Sequence, residues 1–238
     1  MKPYQKIKIQ ECNEPLVPIP LELFAIESPH PYQKLGAPYH LSQTKSPYFL
    51  RQKVLDSLIT AQTKLQQNYP SWQIQIFDAY RPIIIQKFMV DYTFTETIKA
   101  HGLTLDSPSL TEVKRQEILE LVYQFWATPN SDPRTPPPHS TGAAVDVTLV
   151  DANGKIINMG SPIDELSPRS YPKHFLELQN EEAQKYHQHR QLLAEVMIFG
   201  GFQQHPQEWW HFSLGDQMWA WLTNDQGKVV ARYGRVES

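Results

Sequence analysis

The chain has 238 residues, 40% of them hydrophobic and 20% charged, a globular composition that excludes disorder as the main state. The formal net charge is -3 and the sequence has no basic run, so the chain lacks the clustered positive charge that binding to a nucleic-acid backbone requires. We therefore expect no nucleic-acid partner. The single cysteine, Cys12, excludes an intramolecular disulfide framework and any CxxC motif for zinc or redox chemistry.

The N-terminus lacks the apolar core of a signal peptide, and no later stretch approaches the roughly 20 apolar residues that cross a bilayer. We therefore expect a cytoplasmic protein without a membrane partner. Residues 1–45 are rich in proline, which predicts an N-terminal arm that wraps around the rest of the chain. The length allows one large domain or two small ones.

The first regular periodicity follows this arm. Apolar residues recur at helical spacing over residues 50–65, which predicts an amphipathic helix with Pro47 in its first turn. Alternation over residues 72–76 then predicts a half-buried strand. Residues 83–100 are expected to form a helix, and residues 109–127 another that starts with a Ser-x-x-Glu capping box.

The second half of the chain mixes loops, strands and helices. Prolines predict a stiff, partly polyproline-like segment over residues 128–138, and alternation over 145–149 before Asn153-Gly154 predicts a β-hairpin. Three further elements are expected: a helix from an Asn180 cap to Phe199, a short helix near 215–223 and a last strand over 229–236. Because regular βαβ alternation is missing, the pattern favours an α+β fold.

The first group of candidate functional residues is His139-Ser-Thr-Gly-Ala-Ala-Val-Asp146. Imidazole and carboxylate groups both suit zinc, and a catalytic zinc typically has three protein ligands and one open position. Asp146 lies on the predicted strand, where a buried carboxylate is costly without a cation or hydrogen bonds. Gly142 lets the chain turn so that both groups can face one point. Taken alone, the spacing fits a loop histidine and a strand-edge aspartate without a metal better than it fits a metal site.

The second group is Glu208-Trp-Trp-His211. His211 could complete a His/Asp/His set, and Glu208 could accept a proton from an attacking water. Because residues i and i+3 of a regular strand point to opposite faces, this hypothesis requires an irregular backbone at 208–211. The alternative is a surface glutamate and a core-edge histidine beside packing tryptophans. His205 is a competing candidate ligand, but it lacks a companion carboxylate motif.

The third group is Asp78-Ala-Tyr-Arg81-Pro, at the end of a predicted strand. Arg81 could stabilise the negative charge that develops on a carbonyl oxygen during peptide hydrolysis. An ordinary surface arginine before a helix-starting proline is an equally good interpretation. The three groups become informative only together.

Four motifs, taken in order, resemble the zinc D-alanyl-D-alanine dipeptidases, the group that includes the vancomycin-resistance dipeptidases. The motifs are Asp-Ala-Tyr-Arg-Pro at 78–82, His-x-x-Gly-x-Ala-x-Asp at 139–146, Met-Gly-Ser-Pro-Ile-Asp at 159–164 and Glu-Trp-Trp-His at 208–211. The resemblance covers about residues 32–214. It implies hydrolysis of D-alanyl-D-alanine, or a similar small D,D-dipeptide substrate, to free D-amino acids.

The resemblance also implies roles for particular residues. One zinc ion per chain would be held by His139, Asp146 and His211. Glu208 would act as the catalytic base, and Arg81 would stabilise the tetrahedral intermediate.

A further implied role belongs to Asp164, which would help to hold the free amino group of the dipeptide. The implied fold is a single α+β domain over residues 1–238, with a central antiparallel sheet flanked by helices. The wider zinc D,D-carboxypeptidase and hedgehog-like group shares this fold. Three residues or segments depart from the family pattern: Pro137, on the pocket rim, stands where family members commonly have Ser, Ile163 replaces an aromatic residue, and Tyr32–Tyr39 replaces an Asp-Asn-Phe motif.

Three other interpretations fit parts of the pattern. A zinc D,D- or L,D-carboxypeptidase of the same fold would act on longer cell-wall peptides, and Asp164 would then be less decisive. An Fe(II) oxygenase with two histidines and one carboxylate would leave Glu208 without a role and usually has a closer H-x-D spacing. The third interpretation is a non-catalytic metal-binding module. The presence of both Glu208 and Arg81 makes this interpretation less favourable.

Overall fold

The computed structural model describes residues 2–44, 46–223 and 229–236. Its strands are β1 (Leu16–Pro18), β2 (Ala25–Ile26), β3 (Phe49–Arg51), β4 (Gln73–Asp78), β5 (Ala144–Val150), β6 (Gln203–Gln204) and β7 (His211–Ser213). Its α-helices are α1 (Pro31–Lys34), α2 (Gln52–Asn68), α3 (Ile83–Ala100), α4 (Glu112–Phe125), α5 (Glu181–Phe199) and α6 (Gln217–Thr223). Across these residues, none of the helices is both long and apolar enough to pass through a bilayer.

The central sheet has five strands in the order β2-β4-β5-β7-β6. The pairs β4/β5, β5/β7 and β7/β6 are antiparallel, whereas the edge pair β2/β4 is parallel. The α+β prediction is confirmed, but the sheet is not antiparallel throughout. The chain crosses from β2 to β4 through α2, and a connection of this kind joins parallel strands.

The main hydrophobic core lies between this sheet and the helices α2 and α5. Ile74 and Ile76 of β4 pack with Val145 and Val147 of β5, and all four side chains are fully buried. Every residue of β5 is buried, because β5 is the middle strand of the sheet. Any polar side chain on β5 therefore needs a partner inside the protein.

A second hydrophobic cluster joins α3 and α4. It contains Ile85 and Met89 of α3, Val122 of α4 and Trp126 just after α4. Tyr32 of α1 also packs here, so part of the N-terminal arm lies against these helices. The arm contributes backbone pairing as well, since β1 pairs with β3 and β2 joins the central sheet.

The predicted helices α3 and α5 are confirmed, and Asn180 caps α5 through a 2.8 Å bond from the Ala183 amide to its side-chain oxygen. The prediction of a short helix near 215–223 is confirmed by α6. The predicted strand over 72–76 corresponds to β4. The predicted hairpin is reduced to a single bridge between Val150 and Ile156.

Three of the local predictions are wrong, two about helix starts and one about a strand. Pro47 is not in the first turn of α2, because residues 49–51 form β3 and α2 begins at Gln52. The capping box at Ser109 does not form, since Thr111 caps α4 by accepting the Lys114 amide at 3.2 Å.

The expected last strand over 229–236 is also absent from the described residues, which make one bridge, between Ala231 and Ile9. Instead, the amides of Arg232 and Val236 donate to the carbonyls of Gly215 and Ser140. These residues therefore bind loops rather than a neighbouring strand.

Candidate active site

The side chains of His139, Asp146 and His211 meet at one point. His139 Nε2 lies 3.2 Å from Asp146 Oδ2, and His211 Nδ1 lies 3.0 Å from Asp146 Oδ1. The two imidazole nitrogens are 3.1 Å apart. All three residues are buried, and one nitrogen or oxygen of each lies within 4.8 Å of the others, so this group could hold a metal ion.

The fold positions these three residues through strand register and one turn. Asp146 of β5 is paired directly with His211 of β7. His139 lies in a 3-10 turn, Pro138–Thr141, that ends at Gly142 with φ at 69°. A left-handed φ favours glycine, and a Cβ added at Gly142 would lie 2.5 Å from Leu16 Cδ1. The turn predicted from Gly142 is therefore present.

Hydrogen bonds fix which imidazole nitrogen of each histidine faces the group. His139 Nδ1 lies 2.7 Å from the Ala79 carbonyl oxygen, which can only accept, so Nδ1 must be the donor. In a neutral imidazole ring, Nε2 then carries no proton. The Ser213 hydroxyl donates to Asp216 at 2.9 Å, and its oxygen lies 3.3 Å from His211 Nε2, which therefore donates to it. Such outer partners are typical of metal-binding histidines.

The result is a set of lone pairs that face one another. Two unprotonated nitrogens and a carboxylate, all within 3.0–3.2 Å, repel each other unless a cation lies between them. The donor chemistry, two nitrogens and a carboxylate without a thiolate, fits zinc.

Glu208 lies beside this set on an irregular segment. Its Oε2 is 3.7 Å from His211 Nδ1, and its Oε1 is 3.7 Å from His205 Nδ1. Residues 205–210 turn between β6 and β7, with the Glu208 amide bonded to the His205 carbonyl. The requirement for an irregular backbone at 208–211 is met. Burial and the nearby Asp146 raise the pKa of Glu208 well above its usual range.

Arg81 also contacts Asp146. Its Nη2 donates to Asp146 Oδ2 at 3.1 Å, and its Nε donates to Asp78 Oδ2 at 2.7 Å. Further bonds join Nη1 to Gln86 at 3.0 Å and Nη2 to the Tyr32 hydroxyl at 3.3 Å. The guanidinium is thus buried, charged and held in one orientation, which excludes the alternative of an ordinary surface arginine.

Asp164 reaches the same region through Tyr32. The Tyr32 hydroxyl donates to Asp164 Oδ2 at 2.9 Å, so one phenol connects Asp164 to Arg81. Asp164 has a φ of 66°, an uncommon backbone conformation for an aspartate. Burial and the charge of Asp146 raise the pKa of Asp164 to about 7.

Residues 27–231 match a family described as D-ala-D-ala dipeptidase, Peptidase_M15. The chain belongs to this family. It is 48% identical over 246 residues to a D-alanyl-D-alanine dipeptidase of Synechocystis sp., an alignment that covers 100% of this chain and 98% of that protein. It is also 40% identical over 76 residues to a D-alanyl-D-alanine dipeptidase of Escherichia coli, covering 32% of this chain and 37% of that protein. Family membership agrees with the resemblance of the four motifs.

In this member of the dipeptidase family, the residues singled out from the sequence share one cavity. The cavity is lined by all six of them: Arg81, His139, Asp146, Asp164, Glu208 and His211. His205 also lines it, but His205 is not part of the three-residue group that could bind a metal. His205 Nδ1 instead accepts the Gln207 amide at 3.2 Å.

Sequence reasoning missed four residues that shape this site. Asp78 was part of a motif but received no role, although it anchors Arg81. Tyr32 joins Asp164 to Arg81 from the N-terminal arm, and Lys2 and Tyr4 line the cavity from the start of the chain. The Asp-x-x-Arg spacing at 78–81 could have revealed Asp78, whereas nothing near Tyr32, Lys2 or Tyr4 in the sequence indicates their partners.

Proposed function

We propose that this protein is a zinc-dependent dipeptidase that hydrolyses D-alanyl-D-alanine, or a similar small D,D-dipeptide, to free D-amino acids. One observation carries the proposal: a buried set of unprotonated nitrogens and a carboxylate shares a cavity with Glu208, Arg81 and Asp164. The full-length similarity to a D-alanyl-D-alanine dipeptidase supports the choice of substrate.

The proposed metal ligands are His139 Nε2, His211 Nδ1 and a carboxylate oxygen of Asp146, for one zinc ion per chain. When bound, zinc supplies a Lewis acid for the scissile carbonyl and lowers the pKa of a coordinated water. The Ala79 carbonyl and the Ser213 hydroxyl keep the two imidazole rings in the orientation that such a site needs.

Glu208 is the proposed general base. Its carboxylate lies 3.7 Å from His211 Nδ1, which places it next to the ligand set without being part of it. Its raised pKa, caused by burial and by Asp146, makes it a stronger proton acceptor. After taking a proton from the attacking water, the same carboxyl group can donate it to the leaving amine.

Arg81 is the proposed electrostatic stabiliser. The carbonyl oxygen becomes negative as water adds, and a fixed guanidinium lowers the energy of that charge in a site with little water. The bonds to Asp78 and Gln86 hold Arg81 in place before substrate arrives, so little reorganisation is needed during the reaction.

Asp164 is the proposed site for the free ammonium group of the substrate. A carboxylate and an ammonium form a charge-assisted hydrogen bond, whereas an N-acylated peptide has no such charge and more bulk. This role favours a dipeptidase over a carboxypeptidase that acts on longer cell-wall peptides.

The proposal is tested by incubating the zinc-loaded protein separately with D-Ala-D-Ala, N-acetyl-D-Ala-D-Ala and a cell-wall pentapeptide, and measuring free D-alanine. We expect release from the free dipeptide and much less from the other two. Equal release from all three would favour the carboxypeptidase, and no release from any would reject a D,D-peptidase.

A further inference from the structure

One wall of the catalytic cavity comes from the first residues of the chain. Residues Pro3–Lys6 form a 3-10 turn with Tyr4 buried, and the Lys2 side chain lines the same cavity as Glu208 and His211. None of the four motifs includes this segment.

The turn is held firmly against the body of the protein. Gln217 of α6 donates through Nε2 to the carbonyl of Ile7 at 2.7 Å and to that of Gln5 at 3.4 Å. The Lys2 amide donates to Gln5 Oε1 at 2.8 Å. The Gln10 amide then donates to the Ala231 carbonyl at 2.8 Å. Lys2 is therefore placed at the cavity by a fixed backbone.

The two cationic side chains Arg81 and Lys2, which both line the cavity, differ in whether they have a partner. Arg81 is already bound to the carboxylates of Asp78 and Asp146. In contrast, the Lys2 ammonium has no hydrogen-bond or ion-pair partner within residues 2–44, 46–223 and 229–236. Burial lowers the pKa of Lys2, and the negative charge of Glu208, which lines the same cavity, opposes this shift.

Lys2 and Asp164 both line the cavity but have different partners. Lys2 interacts electrostatically with Glu208 and His205. Asp164 is hydrogen-bonded to Tyr32 and interacts electrostatically with Arg81 and Glu208. The cavity thus offers both a carboxylate and an uncommitted ammonium. A free dipeptide has the complementary pattern, an ammonium at one end and a carboxylate at the other.

We propose that Lys2 is a specificity-determining residue whose ammonium binds the free α-carboxylate of the substrate's C-terminal residue. This inference rests on the proposed function. Glu208 lines the same cavity. Without Lys2, the substrate carboxylate would therefore be repelled by the negative charge of Glu208, and the ammonium that offsets this repulsion would be missing. A hydrogen bond between two charged groups is stronger than a neutral one, so the fixed ammonium selects for an unblocked C-terminus.

The test compares D-Ala-D-Ala with its C-terminal amide, D-Ala-D-alaninamide, on the zinc-loaded enzyme. The variants are Lys2→Met and Lys2→Gln, with Lys2→Arg as the conservative change. We expect the unaltered enzyme to prefer the free acid by roughly 10- to 100-fold in kcat/KM, the worth of one hydrogen bond to a charged group. Both neutral variants should lose most of that preference, mainly through a higher KM for the acid, and Lys2→Arg should keep a substantial part.

Lys6→Met is the matched control, because Lys6 belongs to the same turn but is exposed and does not line the cavity. It should leave the preference and both rates unchanged. Zinc content and thermal midpoint, measured on every variant, should match those of the unaltered protein. A neutral variant that lowers the rates on acid and amide equally would show that Lys2 acts through Glu208 or the fold, and would overturn the inference.

An unchanged preference in the neutral variants of an active enzyme would also overturn it, while leaving the proposed function intact. An enzyme that hydrolyses neither substrate would instead reject the proposed function, and the role of Lys2 with it. The two failures are therefore distinct results of one experiment.

Discussion

Arg81 Nη2 and Asp146 Oδ2 share a hydrogen bond of 3.1 Å, and the same Asp146 oxygen lies 3.2 Å from His139 Nε2. One carboxylate therefore faces both the candidate stabiliser of the reaction and the candidate metal ligands. The bond from Arg81 Nε to Asp78 at 2.7 Å completes a buried chain of alternating charges. This chain couples the stability of the fold to the geometry of the site.

The first prediction separates these two roles of Arg81. Arg81→Gln leaves Asp78 without its main counter-charge in the interior, and breaking a buried pair in this way typically costs about 3–5 kcal/mol of unfolding free energy. Adding Asp78→Asn removes the uncompensated charge and should restore much of that stability, measured by denaturant unfolding. It should not restore kcat, which falls roughly 10²–10³-fold when one stabilising donor is lost. Recovery of kcat in the double variant would contradict a role for Arg81 in the reaction.

The second prediction concerns Glu208. Because Glu208 lies next to the ligand set and is not a member of it, Glu208→Ala and Glu208→Gln should both keep one zinc ion per chain. Turnover should fall by about 10²–10⁴-fold, the usual value of general-base assistance. Metal content and rate are measured on the same sample. Loss of zinc from the Glu208→Gln variant would mean that Glu208 is a ligand rather than a base.

The third prediction distinguishes the two histidines at the end of the sheet. His205 and His211 both line the cavity, and their rings lie 5.5 Å apart, but only His211 Nδ1 faces the Asp146 carboxylate. His211→Ala should abolish zinc binding, whereas His205→Ala should retain it at one ion per chain. Metal analysis after dialysis measures both. Zinc retained by the His211 variant and lost by the His205 variant would reverse the assignment.

The candidate residues came from short motifs whose order resembles a known family, and the structure brings them to one cavity, although only Asp146 and His211 lie on strands. Apolar alternation identified β4 and β5, and strand pairing then brought Asp146 next to His211. The irregular backbone at Glu208 followed from a geometric requirement: i and i+3 on a regular strand point apart. Each of these patterns is local, but assigning roles to the residues also required the resemblance of the four motifs to the family.

The parts that sequence reasoning missed depend on contacts between distant segments. Tyr32 and Asp164 are 132 positions apart, and Tyr32 lies on α1, which packs against α3 and α4. The start of α2 was misplaced because Leu50 fits both a helical spacing and a strand, and pairing with Val17 decides for the strand. Periodicity alone contains neither fact.

The fourth prediction tests Asp164 as the ammonium site. Asp164→Asn keeps the size of the side chain and its ability to accept the Tyr32 hydroxyl, but removes the negative charge. The preference for D-Ala-D-Ala over N-acetyl-D-Ala-D-Ala, as a ratio of kcat/KM, can reach about 10⁴-fold when the wrong substrate leaves buried polar groups unpaired. We expect this ratio to fall by at least roughly 10-fold in the variant. A ratio near one in the unaltered enzyme, or no change in Asp164→Asn, would favour a carboxypeptidase-like zinc enzyme.

The last prediction concerns Gly142, which ends the turn that carries His139. Gly142 and Gly102 have nearly the same φ, 69° and 71°, in the left-handed region that costs an alanine about 1–2 kcal/mol. Their surroundings differ: an added Cβ would lie 2.5 Å from Leu16 Cδ1 at Gly142, while nothing lies within 4 Å at Gly102. Gly142→Ala should therefore lower the free energy of unfolding by roughly 1–3 kcal/mol more than Gly102→Ala, the usual cost of overpacking. In a Leu16→Ala background the contacting side chain is gone. There, Gly142→Ala should lower the free energy of unfolding only as much as Gly102→Ala does, because only the backbone strain remains. Equal losses for the two glycine variants would show that Leu16 moves aside without cost.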